Sequence, residues 1–180
     1  MIVEERIVYL KDDGACLLKT PEEDGETLLS YLKRINRETD FLNFTREEVE
    51  TVTAENEAEW VRGYRNGKSI LIGAYRGGEL IGLVDCTIPS LFKTAHVGII
   101  GVSVLKKAWG NGVGTKLFEA VFEEAKRASV SVLHLEHFAD NVRAHALYEK
   151  VGFVTCGIFR GGVKKSDGTI SDVVLMERAL

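Results

Sequence analysis

A chain of 180 residues with 45% hydrophobic and 28% charged residues has the size and balance of one globular domain with a full hydrophobic core. No apolar run approaches the roughly 20 residues of a membrane-spanning helix, and the acidic N-terminus MIVEERIVYLKDD lacks the basic start and small-residue cleavage site of a signal peptide, so a cytoplasmic protein with no membrane partner is expected. The formal charge of −4 hides an asymmetry that bears on function: residues 1–60 hold 16 acidic against 7 basic side chains, whereas residues 61–180 hold 11 against 16.

In chain order, Arg6–Leu10 and Ala15–Lys19 are short apolar runs around Asp12-Asp13-Gly14 and read as a hairpin whose first strand, within residues 1–12, is an N-terminal extension. Thr20-Pro21-Glu22-Glu23 reads as a helix start, followed by a stripe of Leu28, Leu29, Leu32 and Ile35. Thr45 with Glu48 forms a capping box that opens a second, acidic helix running through Trp60 to Tyr64. Ser69–Tyr75 and Leu80–Ile88, joined by Arg76-Gly77-Gly78-Glu79, are a second hairpin, and His96–Leu105 is a third apolar, strand-like run after Pro89. A helix over Gly112–Ala128, a strand over Val132–Phe138, a helix from Asp140-Asn141 to Lys150 and two strands, Phe153–Phe159 and Ile170–Glu177, complete the chain, with Arg160–Thr169 as a loop. No linker or repeat interrupts this order, so residues 1–180 are expected to form one α+β (mixed α/β) domain around a single sheet. Cys16, Cys86 and Cys156 are widely spaced with no C-x-x-C pair, which predicts reduced, buried thiols and no metal site.

The chemistry concentrates in the turn Trp109-Gly110-Asn111-Gly112-Val113-Gly114, which joins an apolar strand to a helix. Glycines let a backbone approach an anion closely, and the unpaired N–H groups of a first helical turn favour phosphate. The basic half of the chain contains this turn, as an anionic ligand would favour. A dinucleotide-binding turn is one reading, with Glu136 as its ribose acid; but the third glycine of G-x-G-x-x-G would fall at Thr115, and the turn lies past mid-chain. A pyrophosphate cradle for coenzyme A is another, and a turn without a ligand is the third. Further on, Asn141, Ala144, Leu147 and Tyr148 fall at i, i+3, i+6 and i+7, along one helical face.

Together the two segments resemble the GNAT N-acetyltransferase superfamily. Gly112 and Gly114 match its pattern (Arg or Gln)-x-x-G-x-G/A, and Asn141 to Phe153 matches N-x-x-A-x-x-L-Y-x-x-x-G-F at every fixed position. Within the superfamily the W-G-x-G turn is similar to the bacterial branch that includes ribosomal-protein N-terminal acetyltransferases. The resemblance implies one central, mostly antiparallel sheet flanked by helices, with two parallel strands splaying near Val104 and Phe138 to form a slot for acetyl-CoA. It implies a pyrophosphate cradle from Gly110, Asn111, Gly112, Val113, Gly114 and Thr115, a pantetheine arm beside Val102–Val104, and a hydrogen bond from Asn141 to that arm. Ala144 would keep the helix close to the arm, Tyr148 would protonate the departing thiolate as general acid, and the Val104 N–H would hold the oxyanion.

Two departures stand out. Many relatives carry Glu near positions 98–99, where this chain has Gly98 and Ile99, and the turn begins with Trp109 rather than a cation or amide. The general base is therefore unassigned among His96, Asp85, Glu136 and His137. A coenzyme-A-binding sensor, or an inactive relative, is the alternative to an enzyme. The acceptor is expected to be a small-molecule amine or a peptide N-terminus, with no nucleic-acid partner and with homodimer formation left open. The acidic helices within residues 21–65 favour a second positive charge on that amine, whereas Arg160, Lys164 and Lys165 would favour a carboxylate.

Overall fold

A computed structural model describes all residues, Met1–Leu180. In chain order the elements are β1 (Arg6–Tyr9), β2 (Ala15–Lys19), α1 (Gly25–Glu38), α2 (Arg46–Thr51), α3 (Ala54–Asn66), β3 (Ile70–Arg76), β4 (Glu79–Thr87), β5 (Val97–Val104), α4 (Val113–Arg127), β6 (Val132–Phe138), α5 (Val142–Lys150), β7 (Val154–Lys164) and β8 (Ile170–Ala179). The eight strands form one sheet in the order β1-β2-β3-β4-β5-β6-β8-β7, antiparallel at every pairing except β5 with β6.

The side-chain alternation of the central strands sorts the core into two layers. Ile70, Ile72 and Ala74 of β3 join Val113, Leu117, Phe118, Val121 and Ala125 of α4 and Tyr148 of α5 on one face. Leu71, with Leu80 and Leu105, meets Leu28, Tyr31 and Ile35 of α1 and Val61 and Tyr64 of α3 on the other. Because β3 is covered on both faces, it reads as a nearly unbroken apolar run instead of an alternating one.

Three local expectations change. Helix α1 begins at Gly25, not at Pro21, because Asp24 caps it by accepting the Thr27 N–H. The Thr20 hydroxyl is committed elsewhere, accepting the Val3 N–H at 2.8 Å, while Glu22 and Glu23 turn to Arg65 and Arg62. The acidic helix is two helices, since Thr53 starts a second capping box with Asn56 and leaves Val52 extended. Residues 160–164 continue β7 up to a tight turn, so only 165–169 form a loop. Cys16 and Cys86 are buried, but Cys156 is exposed on β7.

The feature that shapes the site is the parallel pair. Strand β5 keeps register with β4 from Thr87↔Ile99 to Gly82↔Val104, yet pairs with β6 only from Val97↔Val132 to Ile99↔His134. Beyond Ile99 the two strands diverge.

Candidate active site

The divergence opens a cleft of about 1180 Å³ between β5, β6 and α5, floored at one end by the glycine turn. Leu105 donates its N–H to Ile81 of β4. In an antiparallel ladder the bonded residues alternate, so the N–H groups of Ser103 and Gly101 also turn toward β4, and those of Val102 and Val104 turn toward the opening. Both valines line the cleft. The Val104 carbonyl is taken, however, because the Trp109 indole donates to it at 2.6 Å.

Gly110 and Gly112 have φ of +81° and +92°, a left-handed conformation that side chains adopt only with strain. A Cβ at Gly110 would meet nothing within 4 Å, so the turn encloses open space. Gly112 caps α4, whose first internal hydrogen bond runs from the Lys116 N–H to the Gly112 carbonyl. The N–H groups of Val113, Gly114 and Thr115 thus have no partner within the helix. Gly114 does a different job: a Cβ there would sit 2.9 Å from Leu147, so this glycine lets α4 and α5 approach. Asn111 lies outside the cleft lining, and its carbonyl accepts the Lys11 N–H at 3.0 Å.

That contact brings in a residue that no motif singles out. The β1–β2 turn leans on the glycine turn and places Lys11 among the cleft residues. Arg143 is a second addition, with its guanidinium 4.3 Å from the centre of the Trp109 ring and its residue lining the cleft. Where the turn motif has Trp109 in place of a cation, α5 thus sets a cation on the face of that ring. Open backbone, free N–H groups and two cations suit a pyrophosphate.

Asn141, Ala144, Leu147 and Tyr148 all line the same cleft, as the helical spacing requires. Asn141 caps α5 through its side-chain oxygen, accepting the Ala144 N–H at 3.2 Å, which leaves its amide NH₂ for a ligand. Tyr148 is 7% exposed and packs against Phe118, Phe153 and His137. Burial pushes its phenol up to about 12, so it carries its proton throughout the neutral range.

The base candidates separate clearly. His96 does not line this cleft. His137 lines the cleft, but its Nδ1 lies 2.9 Å from the Phe138 carbonyl and its Nε2 3.0 Å from His145, and burial lowers its pKa. Glu136 and Asp85 also line the cleft. Ile99 occupies the wall where relatives carry an acid, and a Cβ at Gly98 would sit 2.5 Å from the Cys86 sulfur, so no side chain fits there. Of the three cations expected to favour a carboxylate, Arg160 pairs with Asp172 at 2.8 Å and Lys165 with Asp140, while Lys164 forms no ion pair; Arg160 and Lys164 belong to β7 and not to a loop.

A splayed parallel pair with an open glycine turn at its base and a buried phenol on its wall has the architecture expected of an acyl-CoA-dependent transferase. The sequence family named "Acetyltransferase (GNAT) family" matches residues 29–153, more than half of the chain, and the protein belongs to that family. Its members move the acetyl group of acetyl-CoA to an amine. Among curated relatives, YwnH of Bacillus subtilis, to which phosphinothricin acetyltransferase activity is ascribed, is 26% identical over 137 residues, covering 74% of this chain and 82% of YwnH. A GNAT-family acetyltransferase from Streptococcus pneumoniae superposes with a TM-score of 0.86 at 27% identity, covering 92% of this chain and 99% of that one. The ribosomal-protein-alanine N-acetyltransferase of Brucella melitensis gives 0.79 at 25% identity, covering 91% and 99%.

Proposed function

We propose that residues 1–180 act as one acetyltransferase unit in the cytoplasm, on a cationic primary amine of a small molecule or a peptide N-terminus. The observation that carries this reading is the slot itself: the N–H groups of Val102 and Val104 and the phenol of Tyr148 border one cleft with the glycine turn at its base. Acetyl-CoA supplies an activated acyl group, and the chain's residues do the rest. Val113, Gly114 and Thr115 bind the pyrophosphate through free N–H groups, with Lys11 and Arg143 adding charge. Asn141 holds the pantetheine amides. The Val104 N–H stabilises developing negative charge on the carbonyl oxygen, and Tyr148 returns a proton to the leaving sulfur. Free thiols at Cys16, Cys86 and Cys156 suit a reducing compartment.

A coupled thiol-release assay over a panel of amines, run beside calorimetric binding of CoA, tests this. We expect CoA binding together with turnover that declines as salt screens the acidic acceptor wall. CoA binding without turnover of any amine would mark a sensor. Salt-insensitive preference for carboxylate-bearing amines would remove the cationic acceptor.

A further inference from the structure

The acceptor half of the site holds a carboxylate with no use in cofactor binding. A second cavity of about 530 Å³ lies between α1, the α2–α3 segment and β4–β5. Asp85, Gly101, Val102 and Ser103 line both this cavity and the acetyl-CoA cleft, so Asp85 stands at their junction. One hydrogen bond holds it there, and a missing side chain gives it space. Its Oδ2 accepts a hydrogen bond from the Tyr64 hydroxyl at 3.0 Å, and its Oδ1 would lie 2.5 Å from a Cβ on Gly101, its partner across the β4–β5 ladder. Glycine at 101 is therefore what leaves the carboxylate its room.

The surroundings define what this carboxylate can meet. The second cavity has no Lys, Arg or His in its lining; its only other acid is Glu57, and its body is apolar and aromatic, with Tyr31, Phe44 and Trp60. Tyr31 from α1, Glu57 and Tyr64 from α3 and Cys86 on its own strand are the titratable groups on this side of the sheet; the acetyl-CoA cleft that Asp85 also lines adds Lys11, His134, Glu136 and His137 of β6, Asp140, Arg143, Tyr148 and Lys150 at and along α5, Cys156 and Glu177. No cation within the chain answers either acid: neither forms an ion pair, and burial raises both carboxyls. An anionic ligand would face two acids without a counter-ion, whereas an ammonium would relieve them.

We infer that Asp85 binds and deprotonates the acceptor ammonium, and that the acceptor is a primary amine on an apolar or aromatic body without an anionic group. This rests on the acetyltransferase reading. In the step, Asp85 takes one proton from the ammonium. The nitrogen lone pair then forms the C–N bond to the thioester carbon, and the C–S bond breaks with its electron pair going to sulfur. Tyr148 protonates the thiolate and recovers a proton from the new amide nitrogen, so one proton leaves to solvent through Asp85. A carboxyl lifted to about 6 is ionised at pH 7–8 and basic enough to hold the proton briefly.

The test compares tryptamine and phenethylamine with tryptophan and phenylalanine. On the CoA-loaded protein, calorimetry should show each amine binding at least about tenfold more tightly than its amino acid, with Asp85→Asn removing most of that difference and leaving CoA affinity unchanged. In thiol release, Asp85→Asn should lower turnover about tenfold or more at pH 7, a loss that shrinks toward pH 10, where the free amine needs no base. Gly101→Ala, which displaces Oδ1 while keeping the carboxylate, should weaken turnover in the same direction, and an undiminished melting temperature for Asp85→Asn controls for folding. Amino acids that bind as well as the amines, or Asp85→Asn turnover within twofold at pH 7, would overturn the inference while leaving the acetyltransferase reading intact. CoA binding with no thiol release from any amine would instead overturn that reading and the proton transfer together, and the calorimetric comparison would still decide the ammonium site.

Discussion

Tyr148→Phe is expected to lower turnover on the order of 10²-fold while leaving acetyl-CoA affinity close to that of the parent protein. The substitution removes one hydroxyl from a ring fixed between Phe118, Phe153 and His137, so packing changes little. On the proposed mechanism, what is lost is the proton donor to the departing sulfur. Its pKa, raised by burial to about 12, keeps it protonated over the whole working range, so the phenol should contribute no alkaline limb below that value. Steady-state kinetics with the acetyl-CoA KM measured in parallel checks this. Turnover within about twofold would show that Tyr148 only packs there and that water protonates the thiolate.

Gly112→Val should act on the opposite quantity, raising the KM for acetyl-CoA about tenfold or more with a smaller change in turnover. A β-branched residue at φ +92° costs on the order of 1–3 kcal/mol and would tilt the free N–H groups that follow it away from the phosphates. Each 1.4 kcal/mol lost from binding is about a factor of ten. Gly114→Val makes an instructive contrast. Its Cβ would press on Leu147 rather than on the ligand, so the melting temperature should fall along with cofactor affinity. Equal cofactor affinity in Gly112→Val and the parent would remove the cradle.

The sheet, the glycine turn and the cleft-facing stripe of α5 were legible because each depends on short-range spacing: alternation along strands, φ at glycines, and the i, i+3, i+7 geometry of one helix. Where expectation and structure differ, the cause is a partner distant in sequence. Thr20 looked like a cap but bonds to Val3, and Asp24 took its place. Val52 and Thr53 carry nothing that breaks a helix as proline would; the break follows from a second capping box. Lys11 reaches the cleft only because the first hairpin folds over residue 111, and Arg143 gains meaning only from the Trp109 ring beneath it. Among the four base candidates, what distinguishes Asp85, the Tyr64 hydroxyl and the space above Gly101, lies 21 and 16 residues away along the chain.

The placement of the chain's two tryptophans has an optical consequence. Trp60 lines the acceptor cavity, with its ring edge-on to Tyr64 at 5.1 Å, and takes no part in the acetyl-CoA cleft. Trp109 lies at the acetyl-CoA turn beneath Arg143 and takes no part in the acceptor cavity. With the amine seated in that second cavity as inferred above, each substrate arrives beside its own intrinsic fluorophore. Cofactor entry disturbs the indole under a guanidinium, and amine entry disturbs the indole that shares a cavity with two half-buried carboxyls. With one emitter silenced by substitution to phenylalanine, the order in which the two substrates load becomes readable from the unlabelled protein.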